Sequence, residues 1–328
     1  MALDHYISQV HLKNFYSKTQ IPPLNAICKI TMNKFPCSAK DVCRIEEGNT
    51  NYYLEEPRVI ETFVKDIENR YNWAVAQLSD GLTTKQVIYV IAGWIAYVQC
   101  CSPAGSRIYA SSLKNVVHET ARTLEKKGDI PPPPEHLKLG GNLTDLIDSG
   151  RVELTIDPKY PQSVGIQNVL NLTYMYGNFK WDIIKNAYKD SPFFTSDYPL
   201  AIELQPNSTI SNIIVPLNPG LALRINTTTE MHEDENFTFN RIKVTQPDRK
   251  NINRINMLIA QCAEEHVFFG DESSWMFDFV KKHCKYHVGT KTAKSRHPNG
   301  SFMGFFKTIC LRDASEEVSI NYSPESIR

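Results

Sequence analysis

Two adjacent apolar segments in the first half of the chain constrain the fold more strongly than any other feature. Over residues 57–79, apolar side chains recur at spacings of three, four and seven, which places them on one continuous stripe of an α-helix. Pro57 suits the first turn of this helix, and Asp80-Gly81 suits its end. Residues 85–100 are apolar on nearly every side, so we expect them to form a buried helix at the centre of a bundle.

The periodicity changes after residue 177, where alternating apolar residues replace the helical spacing. These short runs predict an antiparallel sheet, and they cover 179–184, 193–194, 200–204, 210–215, 221–225 and 239–244. An acidic hairpin tip is expected at 231–236. Helices return over 249–265 and 271–284. The sequence therefore predicts an α+β protein with N-terminal short strands, a helical bundle, an antiparallel sheet in the second half and C-terminal helices.

The division of the chain into units is predicted from its composition. Residues 1–270 are predicted to form a single α+β body. The four prolines at 131–134 form a stiff spacer that suits either a subdomain boundary near 130–135 or a loop within one domain. Residues 271–328 are expected to form a C-terminal helix followed by a basic tail.

No feature of the sequence predicts export or membrane insertion. The first residues lack an apolar signal core, and the most apolar stretch, residues 87–98, is too short to cross a bilayer. None of the eight cysteines belongs to a CxxC pair, which argues against structural zinc and favours reduced thiols. We therefore expect a cytoplasmic protein without a membrane partner.

The overall charge balance hides a strongly basic segment. The chain carries 36 basic and 36 acidic residues, yet none of the acidic ones lies within residues 281–312. Aromatic residues are interspersed there, and this combination is typical of surfaces that hold phosphates and stack on unpaired bases. A solvated basic hairpin with an apolar inner face is the alternative interpretation. The candidate nucleic-acid-binding residues are Lys281, Lys282, Lys285, Lys291, Lys294, Arg296 and Lys307.

Three residues are candidates for catalysis: His5, Glu68 and Asp197. Histidine and carboxylate side chains can exchange protons with a substrate near neutral pH. The candidates for substrate binding are Gln9, Glu61, Thr195, Ser196 and Asn256. Glu61 and Glu68 share one side of the predicted helix, and with His5 and Asp197 they could form a carboxylate-rich site for Mg²⁺ or Mn²⁺. The alternatives are a structural histidine, a charged helix border, an Asx-turn at Asp197 and an Asn256 that bonds a neighbouring loop.

Several sequence blocks together resemble one family. The blocks are His5-Tyr6-Ile7-Ser8-Gln9 with Leu12-Lys13-Asn14-Phe15, residues 39–43 and 51–53, Glu61 and Glu68, Trp181, residues 193–200 and 215–219, and the helix that contains Asn256. This combination, which spans residues 4–270, is similar to the uncharacterised, mainly bacterial family called domain of unknown function 4238. The chain departs from the family pattern at Ser8, at Tyr198 and at 100–102, where proline, asparagine and the arginine of a Gln-x-x-Arg motif are usual. The resemblance implies a bacterial protein and supplies no reaction.

Two functions fit these observations. The first is a nucleic-acid-directed hydrolase, most simply a ribonuclease-like effector of the defence or toxin type, with RNA or DNA held by the basic segment. The second is a non-catalytic binding or regulatory protein whose partner is another protein or a nucleic acid. In that case the same polar residues are structural, and their alanine variants unfold. The sequence has no motif of a P-loop ATPase, a dinucleotide-binding dehydrogenase, a zincin or a serine-hydrolase elbow.

Overall fold

The structure, a computed structural model, describes residues 3–137, 139–205, 211–227, 234–238, 241–297 and 300–312. Of the acidic hairpin tip predicted at 231–236, residues 231–233 lie outside the described residues. Helices dominate the first half of the described chain and sheets dominate the second, which confirms the α+β class.

The described residues form nine α-helices and thirteen strands. The helices are α1 (Gln9–Lys13), α2 (Val59–Ser79), α3 (Lys85–Cys101), α4 (Pro103–Lys127), α5 (Leu143–Asp148), α6 (Lys159–Gln167), α7 (Val169–Asn178), α8 (Arg249–Cys262) and α9 (Met276–His283). The strands are β1 (Leu3–His5), β2 (Leu24–Cys28), β3 (Lys34–Cys37), β4 (Arg44–Glu46), β5 (Lys180–Lys185), β6 (Thr195–Ser196), β7 (Ala201–Leu204), β8 (Ser211–Asn218), β9 (Leu221–Asn226), β10 (Ile242–Thr245), β11 (His266–Phe269), β12 (Tyr286–His297) and β13 (Gly300–Leu311).

Helix α3 lies at the centre of the bundle, as its apolar composition predicts. Nearly all of its residues are buried, including Trp94 and Tyr97, and it packs against α2, α4, α6 and α7. Thr84 caps its start, because the side-chain oxygen accepts from the Val87 N–H at 3.3 Å. Helix α2 buries a stripe that includes Tyr71, which confirms the predicted amphipathic helix.

Helix α4 begins earlier than the sequence predicts. The sequence suggests a break at Pro103 and a helix from about residue 106, whereas α4 begins at Pro103 itself. Proline is tolerated there because a first-turn N–H has no acceptor within the helix, and the Ser102 hydroxyl oxygen accepts from the Gly105 N–H at 3.1 Å. No single described helix is long and apolar enough to cross a membrane, although α3 and α4, bent by 63°, meet the length and composition criteria as a pair.

The larger sheet has five strands in the order β10-β5-β9-β8-β7. Its pairings are antiparallel except that β10 runs parallel to β5, so the predicted purely antiparallel sheet is wrong at this edge. The parallel pairing arises because the chain after β9 crosses to the opposite side of β5. The predicted strand at 193–194 is also wrong: the Phe194 N–H donates to the Asn256 side-chain oxygen at 3.1 Å and not to a neighbouring strand.

The second sheet joins distant parts of the chain in the order β3-β2-β11-β6. Its two central strands come from the N-terminal region and from the segment that follows α8. A separate two-stranded ladder pairs β1 with β4 and holds His5 opposite Arg44. In the four-stranded sheet, β11 thus lies between the N-terminal strand β2 and the strand β6 that directly precedes Asp197.

The basic C-terminal segment forms a long antiparallel hairpin, β12–β13, which is attached to the body. The Arg107 guanidinium donates to the Val288 carbonyl oxygen at 2.7 Å, and the hydroxyl oxygens of Ser111 and Thr290 lie 2.9 Å apart. At the base of the hairpin, the Arg312 guanidinium donates to the Glu264 carbonyl oxygen. The hairpin therefore packs on α4 and on the end of α8 through its proximal half.

Candidate functional site

Four of the predicted site residues line one surface pocket of about 410 Å³: His5, Gln9, Glu61 and Glu68. His5 comes from β1, Gln9 from the start of α1, and the two glutamates from α2. The buried Tyr97 fixes the backbone of His5, because its hydroxyl donates to the His5 carbonyl oxygen at 2.7 Å. We call this the His5 pocket.

The His5 imidazole is oriented by its backbone neighbour. Nε2 lies 3.1 Å from the Ala39 carbonyl oxygen, and because a carbonyl only accepts, the Nε2–H must donate. In the neutral ring this leaves the Nδ1 lone pair available to accept a proton. Burial and the charge of Arg44 lower the pKa of His5, while the Ala39 bond and the Glu68 carboxylate oppose that shift. His5 is therefore mainly neutral at pH 7 and suited to act as a base.

The carboxylates around the pocket differ in their partners. Arg58 donates to Asp4 at 2.9 Å and also bonds Glu61, so one guanidinium pairs with two carboxylates. Asp4 in addition accepts the Asn49 N–H at 3.1 Å. Glu68 has no ion pair among the described residues, and it is the carboxylate whose charge acts on His5. Glu61 therefore helps to hold the pocket wall, while Glu68 is available for chemistry.

Asp197 does not line the His5 pocket. Its carboxylate is only 3% exposed and accepts the backbone N–H groups of Glu264, Glu265 and His266 at 2.8, 2.7 and 2.9 Å. These bonds fix the chain between α8 and β11. The Asp197 carboxylate therefore makes long-range hydrogen bonds to three backbone N–H groups in place of the local Asx-turn considered from the sequence.

The neighbours of Asp197 in the sequence are also buried and bonded. Thr195 bonds the ring of His11 at 2.7 Å, and the Ser196 hydroxyl oxygen accepts the Tyr198 N–H at 3.3 Å. Asn256 accepts the Phe194 N–H and donates to the Pro192 carbonyl oxygen at 2.8 Å. The structure thus separates the eight candidate residues into four that share the His5 pocket and four that hold the interior together.

Residues 4–273 match the family model described as a protein of unknown function, DUF4238. The chain belongs to the DUF4238 family. The match confirms the resemblance found in the sequence blocks and covers both the His5 pocket and Asp197. Comparisons with curated proteins and with solved structures give no match. The DUF4238 region ends before the β12–β13 hairpin begins.

Only some of the basic residues that follow the DUF4238 region have side chains that are described and exposed. Lys281, Lys282, Lys285 and Lys291 are exposed on α9 and at the start of the hairpin. Lys294 and Arg296 belong to β12, and their side chains lie outside the described part of the structure. Four exposed lysines therefore remain as described candidates for phosphate contacts.

Lys307 has a different environment from these lysines. Its ammonium group donates to the Gln99 side-chain oxygen at 2.6 Å, and the Tyr176 hydroxyl donates to the same oxygen. The Gln99 amide in turn donates to the Tyr109 hydroxyl at 2.8 Å. Burial lowers the pKa of Lys307 to about 8, against the opposing influence of Cys100. Lys307 thus attaches the hairpin to the end of α3 inside the DUF4238 region.

The described residues include no group of three or more His, Cys, Asp or Glu side chains arranged to hold a metal ion. The expected Mg²⁺ or Mn²⁺ site therefore has no assigned ligand set in this part of the chain. Four polar residues of the pocket region were not predicted from the sequence: Asp4, Asn49 and Lys65, which line the pocket, and Arg58, which pairs with Asp4 and Glu61. Arg58 precedes Glu61 by three residues at a helix start, a spacing that predicts an ion pair.

Proposed function

We propose that this DUF4238 protein cleaves RNA in the His5 pocket, with His5 as the proton-transfer group. The observation that carries the proposal is the His5–Ala39 hydrogen bond, which places a proton on Nε2 and so leaves Nδ1 of the neutral ring to accept a proton. The lowered pKa of His5, caused first by burial, keeps that nitrogen unprotonated near pH 7.

RNA is the substrate class whose cleavage needs the fewest catalytic groups from the pocket. Its 2′-hydroxyl is an internal nucleophile, so His5 removes that proton, the 2′-oxygen attacks phosphorus, and the bond to the 5′-oxygen breaks. The proton on His5 then passes to the leaving oxygen. Glu68 stabilises the imidazolium that forms between these two transfers, because its charge favours protonated His5. Lys65 and Gln9, which line the same pocket, supply positive charge and amide donors for the phosphate oxygens.

The exposed lysines support a polyanionic substrate. Lys281 and Lys282 on α9, Lys285 between α9 and β12, and Lys291 on β12 offer four exposed positive charges within eleven residues. Arg58 offsets one of the two negative charges of Asp4 and Glu61 at the pocket itself, so the wall repels a phosphate less than its acid content suggests. We place the activity in the cytoplasm, since all eight cysteines are free thiols. The bacterial source that we propose is suggested by the family alone, and a defence or toxin-like effector is the role that RNA cleavage would serve.

The test is cleavage of a fluorescently labelled RNA by the purified full chain, with and without EDTA and with added Mg²⁺ or Mn²⁺. We expect cleavage by the wild-type protein and a loss of about 100-fold or more in His5→Gln, since general acid–base groups contribute on that order. Glu68→Gln should lose less, because it removes only the stabilising charge. The matched controls are Asp66→Asn, an exposed carboxylate on α2 paired with Arg70, and His136→Gln, an exposed histidine. Intact RNA under all conditions would refute the proposal.

A second candidate function is a non-catalytic binding protein. It is favoured by the buried, hydrogen-bonded positions of Thr195, Ser196, Asp197 and Asn256, which are structural in this arrangement. On this alternative the His5 pocket holds a ligand without chemistry. RNA binding that is retained in His5→Gln, with no cleavage by either protein, would favour it.

A further inference from the structure

The four-stranded sheet brings a cysteine and a histidine side by side outside the His5 pocket. Cys28 in β2 lies directly opposite His266 in β11. The adjacent pair is hydrogen-bonded, because the Lys29 N–H donates to the Glu265 carbonyl oxygen at 2.7 Å. Cys28 and His266 therefore form a non-hydrogen-bonded pair, in which opposing side chains on one face of the sheet approach most closely.

A carboxylate lies next to the same imidazole. Nδ1 of His266 is 3.6 Å from Oδ2 of Asp197, whose orientation is fixed by its three backbone donors. The His266 ring stacks on Phe268 with centroids 6.1 Å apart and meets Phe35 edge-on at 5.8 Å. Burial lowers the pKa of His266, but the Asp197 carboxylate outweighs it, so the pKa lies above its usual value. The ring thus lies beside the Asp197 carboxylate and belongs to the residue opposite Cys28 in the sheet.

The Cys28 sulfur has its own hydrogen-bond donors in the β2–β3 turn. The Thr31 hydroxyl and the backbone N–H groups of Thr31 and Ile30 donate to it. Burial raises the pKa of the Cys28 thiol, but these donors and the charge of His266 outweigh it, so the pKa lies below its ordinary value. Cys28 is half-buried and the His266 side chain is 27% exposed, so a reagent can reach both from solvent.

We propose that Cys28, His266 and Asp197 form a second reactive site, in which Cys28 is the nucleophile toward acyl carbonyl groups of esters, thioesters or amides. His266 is the base for the thiol, and Asp197 is a positioning residue that orients the ring and stabilises its positive charge.

The reaction needs no reagent beyond the acyl compound and water. His266 takes the thiol proton, and the Cys28 sulfur forms a bond to the carbonyl carbon. The bond between that carbon and the leaving group breaks, and the leaving group departs with the electron pair and the proton that His266 held. Water then attacks the resulting thioester with His266 again as base, which releases a carboxylic acid and restores the thiol.

The first measurement compares thiol reactivity within one molecule. The folded full chain is treated with iodoacetamide between pH 5 and 9, and each cysteine-containing peptide is quantified by mass spectrometry. Cys284, another partly exposed thiol, is the internal control. We expect Cys28 to react about tenfold faster than Cys284 at pH 7, and His266→Gln to lose most of that advantage. The charged groups around Cys28 that shape the profile are His266, Asp197, Glu265 and Lys29.

The second measurement uses p-nitrophenyl acetate as the acyl probe. We expect p-nitrophenolate release with a transient acetyl group on the Cys28 peptide, and loss of both in Cys28→Ser. We expect p-nitrophenolate release to be unchanged in His5→Gln, so the outcome of this test is independent of RNA cleavage. Equal reactivity of Cys28 and Cys284 would overturn the proposal. So would full reactivity in a His266→Gln protein with a wild-type melting temperature, or acetylation elsewhere than Cys28.

Discussion

Nε2 of His11 lies 2.7 Å from Oγ1 of Thr195, across 184 residues of sequence. The other ring nitrogen lies 2.8 Å from the Tyr71 hydroxyl, and the ring stacks on Trp94 with centroids 4.4 Å apart. One buried histidine thus connects α1, α2, α3 and β6. Because of this connection, the His5 pocket and the segment around Asp197 belong to one packed body, although they contain different sets of candidate residues.

The first prediction concerns acid stability. Burial lowers the pKa of His11 to about 3, whereas an unfolded histidine titrates near its ordinary value of about 6.5. Between these values the unfolded state binds the extra proton, so the free energy of unfolding falls as the pH falls, by about 1.4 kcal/mol per pH unit. Urea unfolding at pH 7, 5.5 and 4 measures this slope. In His11→Gln the slope should be shallower, and an identical slope would show that another group is responsible.

Local periodicity in the sequence predicts which side chains share one side of a helix, and nothing beyond that about the candidate site. Glu61 and Glu68 lie seven residues apart on an amphipathic helix, so their common side could be predicted, and both line the His5 pocket. The partners of Asp197 could not be predicted, because they are backbone N–H groups and carry no side-chain signal. Lys307 resembled any other basic residue, because its burial depends on where the hairpin packs.

The second prediction is the pH profile of RNA cleavage. Because burial lowers the pKa of His5, the acidic limb of kcat/KM should have its midpoint below the ordinary histidine value of about 6.5. Removing the opposing Glu68 charge in Glu68→Gln should move that midpoint further toward low pH. Asp66→Asn, on the exposed side of α2, should leave it in place. A midpoint above 6.5, or one insensitive to Glu68, would contradict the role assigned to His5.

The third prediction concerns the structural role of Asp197. Asp197→Asn keeps the volume of the side chain but loses the negative charge that accepts three backbone N–H bonds. We expect a loss of about 3 kcal/mol in the free energy of unfolding, since bonds to charged groups contribute about 1.5–3 kcal/mol each and asparagine retains some of them. Asp190→Asn, which removes an exposed ion pair with Arg249, should lose less than about 1 kcal/mol. Equal losses in the two variants would refute this role.

The fourth prediction tests the exposed lysines. Replacing Lys281, Lys282, Lys285 and Lys291 together by glutamine should weaken RNA binding and reduce its dependence on salt. The slope of log K against log salt should fall by about 0.7 for each lysine that neutralises a phosphate of a single strand. Fluorescence anisotropy at several salt concentrations measures the slope. The control is Lys126→Gln with Lys127→Gln, an exposed pair at the end of α4. An unchanged slope in the fourfold variant would exclude these four lysines as phosphate contacts.

The last prediction concerns the attachment of the hairpin at Lys307. Its native pKa of about 8, lowered by burial, lies below the ordinary lysine value of about 10.4. Between these pH values the unfolded state binds more protons than the native state, so the contribution of Lys307 makes the free energy of unfolding rise with pH. The unfavourable contribution of Lys307 to the stability is therefore fully present only below pH 8. Lys307→Met removes that contribution, while Tyr176 still donates to Gln99. The variant should therefore gain stability relative to wild type at pH 7, by up to about 3 kcal/mol, and the gain should disappear by about pH 10.5. Lys29, also buried with a pKa of about 8, titrates in both proteins and cancels in the comparison. A difference that does not vary between pH 7 and 10.5 would show that the Lys307 ammonium group is not buried in solution.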